Sequence, residues 1–219
     1  MFPPVEYILF DLDSTLYSSR WGLEQDVSSR VNNYLSVYLK LSKEEAWALR
    51  RERIKEGGYG TTVEWLRAEQ NLGDDELDDY FACLHPDNEA DNLPADPGLR
   101  AFLLSVSSRN IPIGILTNST LDHARRILQK LEIADLFPVI FDIRKNGLIG
   151  KPNAEMYRRV LNELGVSAPS CILVDDIPCY VEGYLDIGGR GILFDENNRY
   201  PEFPGDRIQK LEELLEIIQ

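Results

Sequence analysis

Four acidic side chains, a threonine and a lysine are distributed along this chain so that they could meet at one point. Asp11-Leu12-Asp13-Ser14-Thr15 and Thr117-Asn118-Ser119 each follow a short apolar run, Asp175-Asp176 closes a third, and Gly150-Lys151-Pro152 stands at the head of a helix-period segment. Four carboxylates on one rim repel one another unless a cation compensates them or one holds a proton. All the acids are oxygen donors with no His or Cys among them, so the implied metal is hard, Mg²⁺ first, sharing its shell with water and a phosphate. Asp11 and Asp13 are two residues apart, which puts both side chains on one side of an extended strand end. One carboxylate can then face the metal and attack while the other reaches a leaving group.

Such a cluster needs elements that end together. Residues 5–10, 113–117 and 171–175 are apolar runs that stop abruptly at polar residues, as strands buried on both faces do, with weaker candidates at 139–142 and 191–194. Helix-period segments at 97–108, 120–131 and 153–164 alternate with them. That alternation predicts right-handed crossovers and an α/β fold, a doubly wound (Rossmann-like) parallel sheet, whose ligand site lies outside the carboxyl ends of its strands. The first connection breaks the rule: from 17 to 93 only helical periodicity is found, with capping boxes at Ser42-x-x-Glu45 and Thr61-x-x-Glu64. The chain is therefore expected to divide into an α/β core, 1–16 and 94–219, and a helical cap, 17–93, inserted after the first strand. The tail, with Ile208, Leu211, Leu214, Leu215 and Ile218, reads as a last amphipathic helix.

Composition narrows the partners. The 219 residues carry 37 acidic and 23 basic side chains, a net charge of −14, which argues against polymeric nucleic acid and against an acidic membrane surface. The 43% apolar content is enough for a core, and no apolar run approaches the roughly 20 residues that span a bilayer. Three cysteines, no C-x-x-C pair and a start without a basic n-region make the reducing cytoplasm the expected setting. A monomer or homodimer fits equally. The acidic stretch at 74–79 reads as the solvated first turn of a cap helix, and His85 and His123, without ligand spacing, as structural.

Asp11-x-Asp13-x-Thr15, Thr117, Lys151 and Asp175-Asp176, in that order, resemble the four motifs of haloacid dehalogenase superfamily phosphatases, and the cap position agrees. Phe10-Asp-Leu-Asp-Ser-Thr-Leu-Tyr17, Tyr59-Gly60, Asp96-Pro97, Leu116-Thr-Asn118 and Gly150-Lys-Pro152 are similar to the pyrimidine 5′-nucleotidase-like branch. The resemblance implies that Asp11 attacks phosphorus to form an aspartyl-phosphate, and that Asp13 serves as acid and then base with its pKa raised towards neutrality. It implies further that Thr117, Asn118 and Lys151 bind the phosphoryl group. Mg²⁺ would sit on Asp11, Asp13 (through its carbonyl), Asp176 and a supporting Asp175. Tyr17 and Arg20, near the join of cap and core, are candidates for holding the rest of the substrate. The pattern departs from many relatives at Ile177 and Tyr180, where Ser and Asn are common.

The expected activity is hydrolysis of a small phosphate monoester, a pyrimidine nucleoside monophosphate first. The alternatives within the superfamily are a sugar phosphomutase and a sugar-phosphate or phosphoglycolate phosphatase. A phospho-accepting regulatory domain would have the acidic pair first and the acceptor mid-chain, the reverse of the order here.

Overall fold

The computed structural model describes residues 3–218. Its strands are β1 (Tyr7–Phe10), β2 (Ile113–Leu116), β3 (Ile140–Phe141), β4 (Cys171–Asp175), β5 (Arg190–Phe194) and β6 (Asp206–Ile208). Helices α1 (Leu23–Leu39), α2 (Lys43–Lys55), α3 (Thr62–Glu69) and α4 (Asp74–Leu84) follow β1, and α5 (Pro97–Ser107) leads into β2. After β2 come α6 (Leu121–Lys130), α7 (Ala154–Leu164), α8 (Pro178–Asp186) and α9 (Leu214–Ile217).

The six strands are parallel in the order β3-β2-β1-β4-β5-β6. Every residue of β1, β2 and β4 is buried, which is why these strands carry apolar runs and no alternation. Phe10 pairs with Ile115 on one side and Val174 on the other, and this row packs with Phe102 and Leu103 of α5 and Ile127 and Leu128 of α6. Leu9, Leu116 and Leu173 point to the opposite face, where Met156, Tyr157 and Val160 of α7 and Tyr184 of α8 cover them. The result is a three-layer, doubly wound sheet, as the alternation of runs predicts.

Helices α1–α4 gather a separate apolar cluster around Val31, Leu35, Trp65, Leu66 and Tyr80, which Ile143 from the loop after β3 also enters. The box at Ser42 is complete, whereas Glu64 donates its N–H to Thr61 Oγ1 but turns its carboxylate to the Gly60 N–H. Asp74, Asp75 and Glu76 form the first turn of α4, where carboxylates complement the helix dipole. The loop before α3 touches the sheet side closely. A Cβ on Gly150 would stand 2.5 Å from Thr61 Cγ2 and 2.7 Å from Asn118 Oδ1, so only glycine permits the approach.

The tail is not the single amphipathic helix its spacing suggests. Ile208 extends the sheet as part of β6, a 3₁₀ turn takes Leu211–Glu213, and α9 has only four residues. Ile208, Leu214 and Ile218 are still buried in the same cluster, so burial followed the pattern while β5's free edge captured the backbone as a strand. Among the described residues no helix is long and apolar enough to cross a membrane.

Candidate active site

The strand order changes direction between β1 and β4, so a crevice opens at their carboxyl ends. The Asp11 N–H donates to the Val174 carbonyl (2.8 Å) and the Thr117 N–H to the Phe141 carbonyl (2.9 Å), so the ladder carries each residue to the rim. Asp175 is the last residue of β4 and Asp176 follows it. Lys151 enters from the loop before α7 and is fully buried. Its Nζ donates to Asp11 Oδ1 and to Asp175 Oδ2, each at 2.6 Å.

The backbone of Lys151 is fixed by a single side chain: its N–H donates to Asn118 Oδ1 (2.8 Å), and Asn118 Nδ2 donates to its carbonyl (3.1 Å). Asn118 thus locks the loop after β2 to the lysine. At Ile177 and Tyr180 the contacts to the site are made by a backbone N–H and by a ring. The Ile177 N–H donates to Asp175 Oδ1 (2.9 Å), and the Tyr180 ring lies 5.2 Å from Lys151 Nζ, a cation–π contact.

Negative charge dominates the crevice. Carboxylate oxygens of Asp11, Asp175 and Asp176 lie within 4.8 Å of one another, and all three residues are buried. Burial pushes Asp11 up to about 8, with Lys151 opposing and the Asp175 and Asp13 charges adding to the rise. Burial pushes Asp176 up to about 9, reinforced by Asp11, Asp175 and Glu24 of α1. Burial alone would lower the Lys151 ammonium, but the charges of Asp11 and Asp175 hold it above its ordinary range. One ammonium among these acids leaves an excess that a hard divalent cation would balance, and the all-oxygen donor set suits one.

Asp13 departs from the expected acid with a raised pKa. Its Oδ1 accepts from Tyr17 Oη (2.6 Å) and from His123 Nε2 (2.7 Å), and its Oδ2 from Ser119 Oγ (2.9 Å). Burial by itself would raise the carboxyl, but the charge and hydrogen bond of His123, with that of Tyr17, hold it well below the carboxylate range. Burial opposes the charge of His123 too, yet Asp13 and Glu89 outweigh it and lift the imidazole to about 10. Behind His123, Glu89 accepts at Oε1 from His123 Nδ1 (2.7 Å) and Arg126 Nη2 (3.0 Å), while its Oε2 meets His85 Nδ1 at 3.0 Å. His85 and His123 therefore belong to a buried chain that ends on Asp13. His123 stands in the first turn of α6 directly after the β2 rim, and that position is the one trace of it in the sequence.

A cavity of about 270 Å³ joins this rim to the helices above it. Asp11, Asp13, Thr117, Asn118, Lys151 and Asp176 line its sheet side, and Val27, Arg50, Thr62, Tyr80 and Phe81 its helical side. Thr117 is buried, and its Oγ1 accepts from the Ser119 N–H (2.9 Å). Arg20, expected near the substrate, does not line this cavity. It is exposed, its guanidinium stacks on Trp21 at 5.3 Å, and it lines a separate groove of about 480 Å³ with Asp96 and Lys210. A 3₁₀ turn at Ser19–Trp21, closed by Gly22 in the left-handed region, turns this segment away. Tyr17 lines that groove as well and reaches the rim only through its hydroxyl on Asp13. The arginine of the cavity is Arg50 on α2.

A parallel doubly wound sheet with an Asp-x-Asp, a threonine, a lysine and an Asp-Asp at adjoining strand ends defines a class of α/β proteins with a carboxylate–lysine centre at the switch point. Residues 5–178 match the model of the hydrolase family described as haloacid dehalogenase-like hydrolase. A protein of Mycobacterium tuberculosis named Phosphatase MT3486 is 36% identical over 104 residues, 47% of this chain and about half (48%) of that protein. The phosphoglycolate phosphatase of Rhodospirillum rubrum is 30% identical over 182 residues, covering 78% of this chain and 71% of its own. The crystal structure of a haloacid dehalogenase phosphatase from Thermococcus onnurineus superposes with a TM-score of 0.63 over 98% of both chains at 21% identity, a likeness of fold. The chain belongs to the haloacid dehalogenase-like hydrolases.

Proposed function

We propose that this hydrolase is a Mg²⁺-dependent phosphomonoesterase that works through an aspartyl-phosphate on Asp11. The observation that carries the reading is Lys151 bridging Asp11 and Asp175 at 2.6 Å each, beside Thr117 and Asp176 in one crevice. An Asp11 carboxylate oxygen attacks phosphorus, and the bond from phosphorus to the ester oxygen breaks. The leaving oxygen takes the proton that the Asp13–His123 pair holds between Oδ1 and Nε2, 2.7 Å apart. Water then attacks phosphorus, its proton returns to the pair, and phosphate leaves Asp11 free.

Lys151, Thr117 and the Asn118 N–H hold the phosphoryl oxygens, so charge gathered there is met by fixed donors. The carboxylates of Asp11, Asp175 and Asp176, with the Asp13 carbonyl, would hold Mg²⁺, which when bound offsets phosphoryl charge and keeps Asp11 ionised. Residues 17–93 act as a cap over the core formed by 1–16 and 94–219, with Gly60-Thr61 resting on Gly150 as the contact that closes the crevice.

Pyrimidine nucleoside monophosphates and small hydroxy-acid or sugar phosphates are the substrate candidates. A cavity of about 270 Å³ and the activity named for the Rhodospirillum rubrum relative support the smaller esters. The test is phosphate release with Mg²⁺ from UMP, CMP, a hexose phosphate and phosphoglycolate. Release with loss on Asp11→Asn is expected, whereas isomerised sugar phosphate without free phosphate would mark a phosphomutase instead.

A further inference from the structure

One cation in the cavity has no carboxylate to answer it. Lys151 is neutralised by Asp11 and Asp175 and His85 meets Glu89, but Arg50, the one arginine lining the cavity, makes no ion pair among the described residues. Its Nε donates to Thr62 Oγ1 (3.1 Å) and its Nη1 to Ser28 Oγ (3.0 Å) and, more weakly, to the Ser28 carbonyl (3.5 Å). These bonds fix the guanidinium between α1, α2 and α3 and leave Nη2 without a hydrogen bond among the described residues. Burial pulls its pKa down, and the titratable groups opposing that are the Tyr80 and Tyr180 hydroxyls, which burial raises and which therefore carry no charge at physiological pH. A half-buried guanidinium costs free energy when unpaired, and its planar fork matches a carboxylate.

We propose that Arg50 receives a carboxylate carried by the leaving group, so that the substrate is a small phosphorylated hydroxy acid; this rests on the phosphomonoesterase reading. The phosphoryl group occupies the sheet side at Asp11, Thr117 and Lys151, and the leaving group extends towards α2. Tyr80, Phe81 and Val31 close the space around it, which limits its size. The net charge of −14 gives long-range repulsion to any polyanion, so a monoanionic carboxylate is favoured over a second phosphate. In the reaction the phosphorus–oxygen bond breaks, the hydroxy acid leaves with one proton, and water supplies the oxygen that completes phosphate.

The experiment compares kcat/KM for phosphoglycolate with that for its neutral isostere, carbamoylmethyl phosphate, with ethylene glycol bisphosphate and phenyl phosphate alongside. The wild type is expected to prefer phosphoglycolate to the amide roughly 10- to 100-fold, the range of a charge-assisted hydrogen bond made in a cavity. Arg50→Gln is expected to bring that ratio to within about threefold of one, with Arg50→Lys between. Equal turnover of acid and amide by the wild type overturns the inference without needing a variant, as does an Arg50→Gln protein that keeps the preference. Preference for the bisphosphate overturns the choice of carboxylate. Failure of all four esters to release phosphate overturns the phosphatase reading, and this inference falls with it.

Discussion

Replacing Lys151 by Met removes the one ammonium from a buried group of acids while nearly keeping its volume. Lys151 has 1% of its side chain exposed, Asp175 0% and Asp11 9%, so solvent cannot rehydrate the carboxylates that lose their partner. Breaking a buried pair from one side costs about 3–5 kcal/mol, because the remaining charge is stranded. For a protein of this size each kcal/mol moves Tm by about 2–4 °C, which gives a fall of roughly 6–20 °C at pH 8. The loss must depend on pH, and its sign follows from protonation. Burial already raises Asp11 to about 8 with Lys151 opposing, so removal of the lysine raises it further. A carboxyl whose folded pKa lies above its unfolded value binds more protons folded than unfolded, so stability falls as pH rises between the two. At pH 5 protons replace the lost ammonium and the deficit shrinks. Thermal melts of both proteins at pH 5 and pH 8 without divalent metal measure it, and an equal or larger deficit at pH 5 would refute the reasoning.

Three further outcomes follow from the same geometry. The raised Asp11 and Asp176 must lose protons to take up a cation, so the Tm gain from a fixed Mg²⁺ concentration should be larger at pH 8 than at pH 5.5; a gain independent of pH contradicts the assignment of those ligands. Glu89→Gln weakens a carboxylate that meets His123, His85 and Arg126, and should cost about 3–5 kcal/mol while lowering kcat, seen by melts and steady-state kinetics. Gly150→Ala places a Cβ 2.5 Å from Thr61 Cγ2 and should lift the cap loop, lowering kcat/KM with a change in stability of about 1–3 kcal/mol.

The parts of the molecule legible in the sequence are those written locally. Strands buried on both faces leave apolar runs, so β1, β2 and β4 stand out, and so do the acids that end them. Helices α5, α6 and α7 lie within a residue of their predicted limits because periodicity and caps agree: Asp96, Thr120 and Asn153 each accept at the N-terminus. β6 was hidden because three residues carry no period, and only the free edge of β5 makes them a strand. His123 meets Asp13 across 110 residues, a contact that neither local pattern nor spacing encodes, and it reverses the direction expected for the Asp13 carboxyl. Arg20 and Arg50 show the same limit: a place near the join of cap and core favoured the first, whereas the packing of α2 over the crevice brings in the second.

The central claim is that Asp11 carries the phosphoryl group during turnover. Rapid acid quench of the enzyme with Mg²⁺ and phosphoglycolate, followed by proteolysis and mass spectrometry, tests it directly. The prediction is a phosphoryl adduct on Asp11 in the peptide containing residues 11–13, absent in Asp11→Asn together with phosphate release. Steady release of phosphate by Asp11→Asn, or an adduct on another residue, would contradict it.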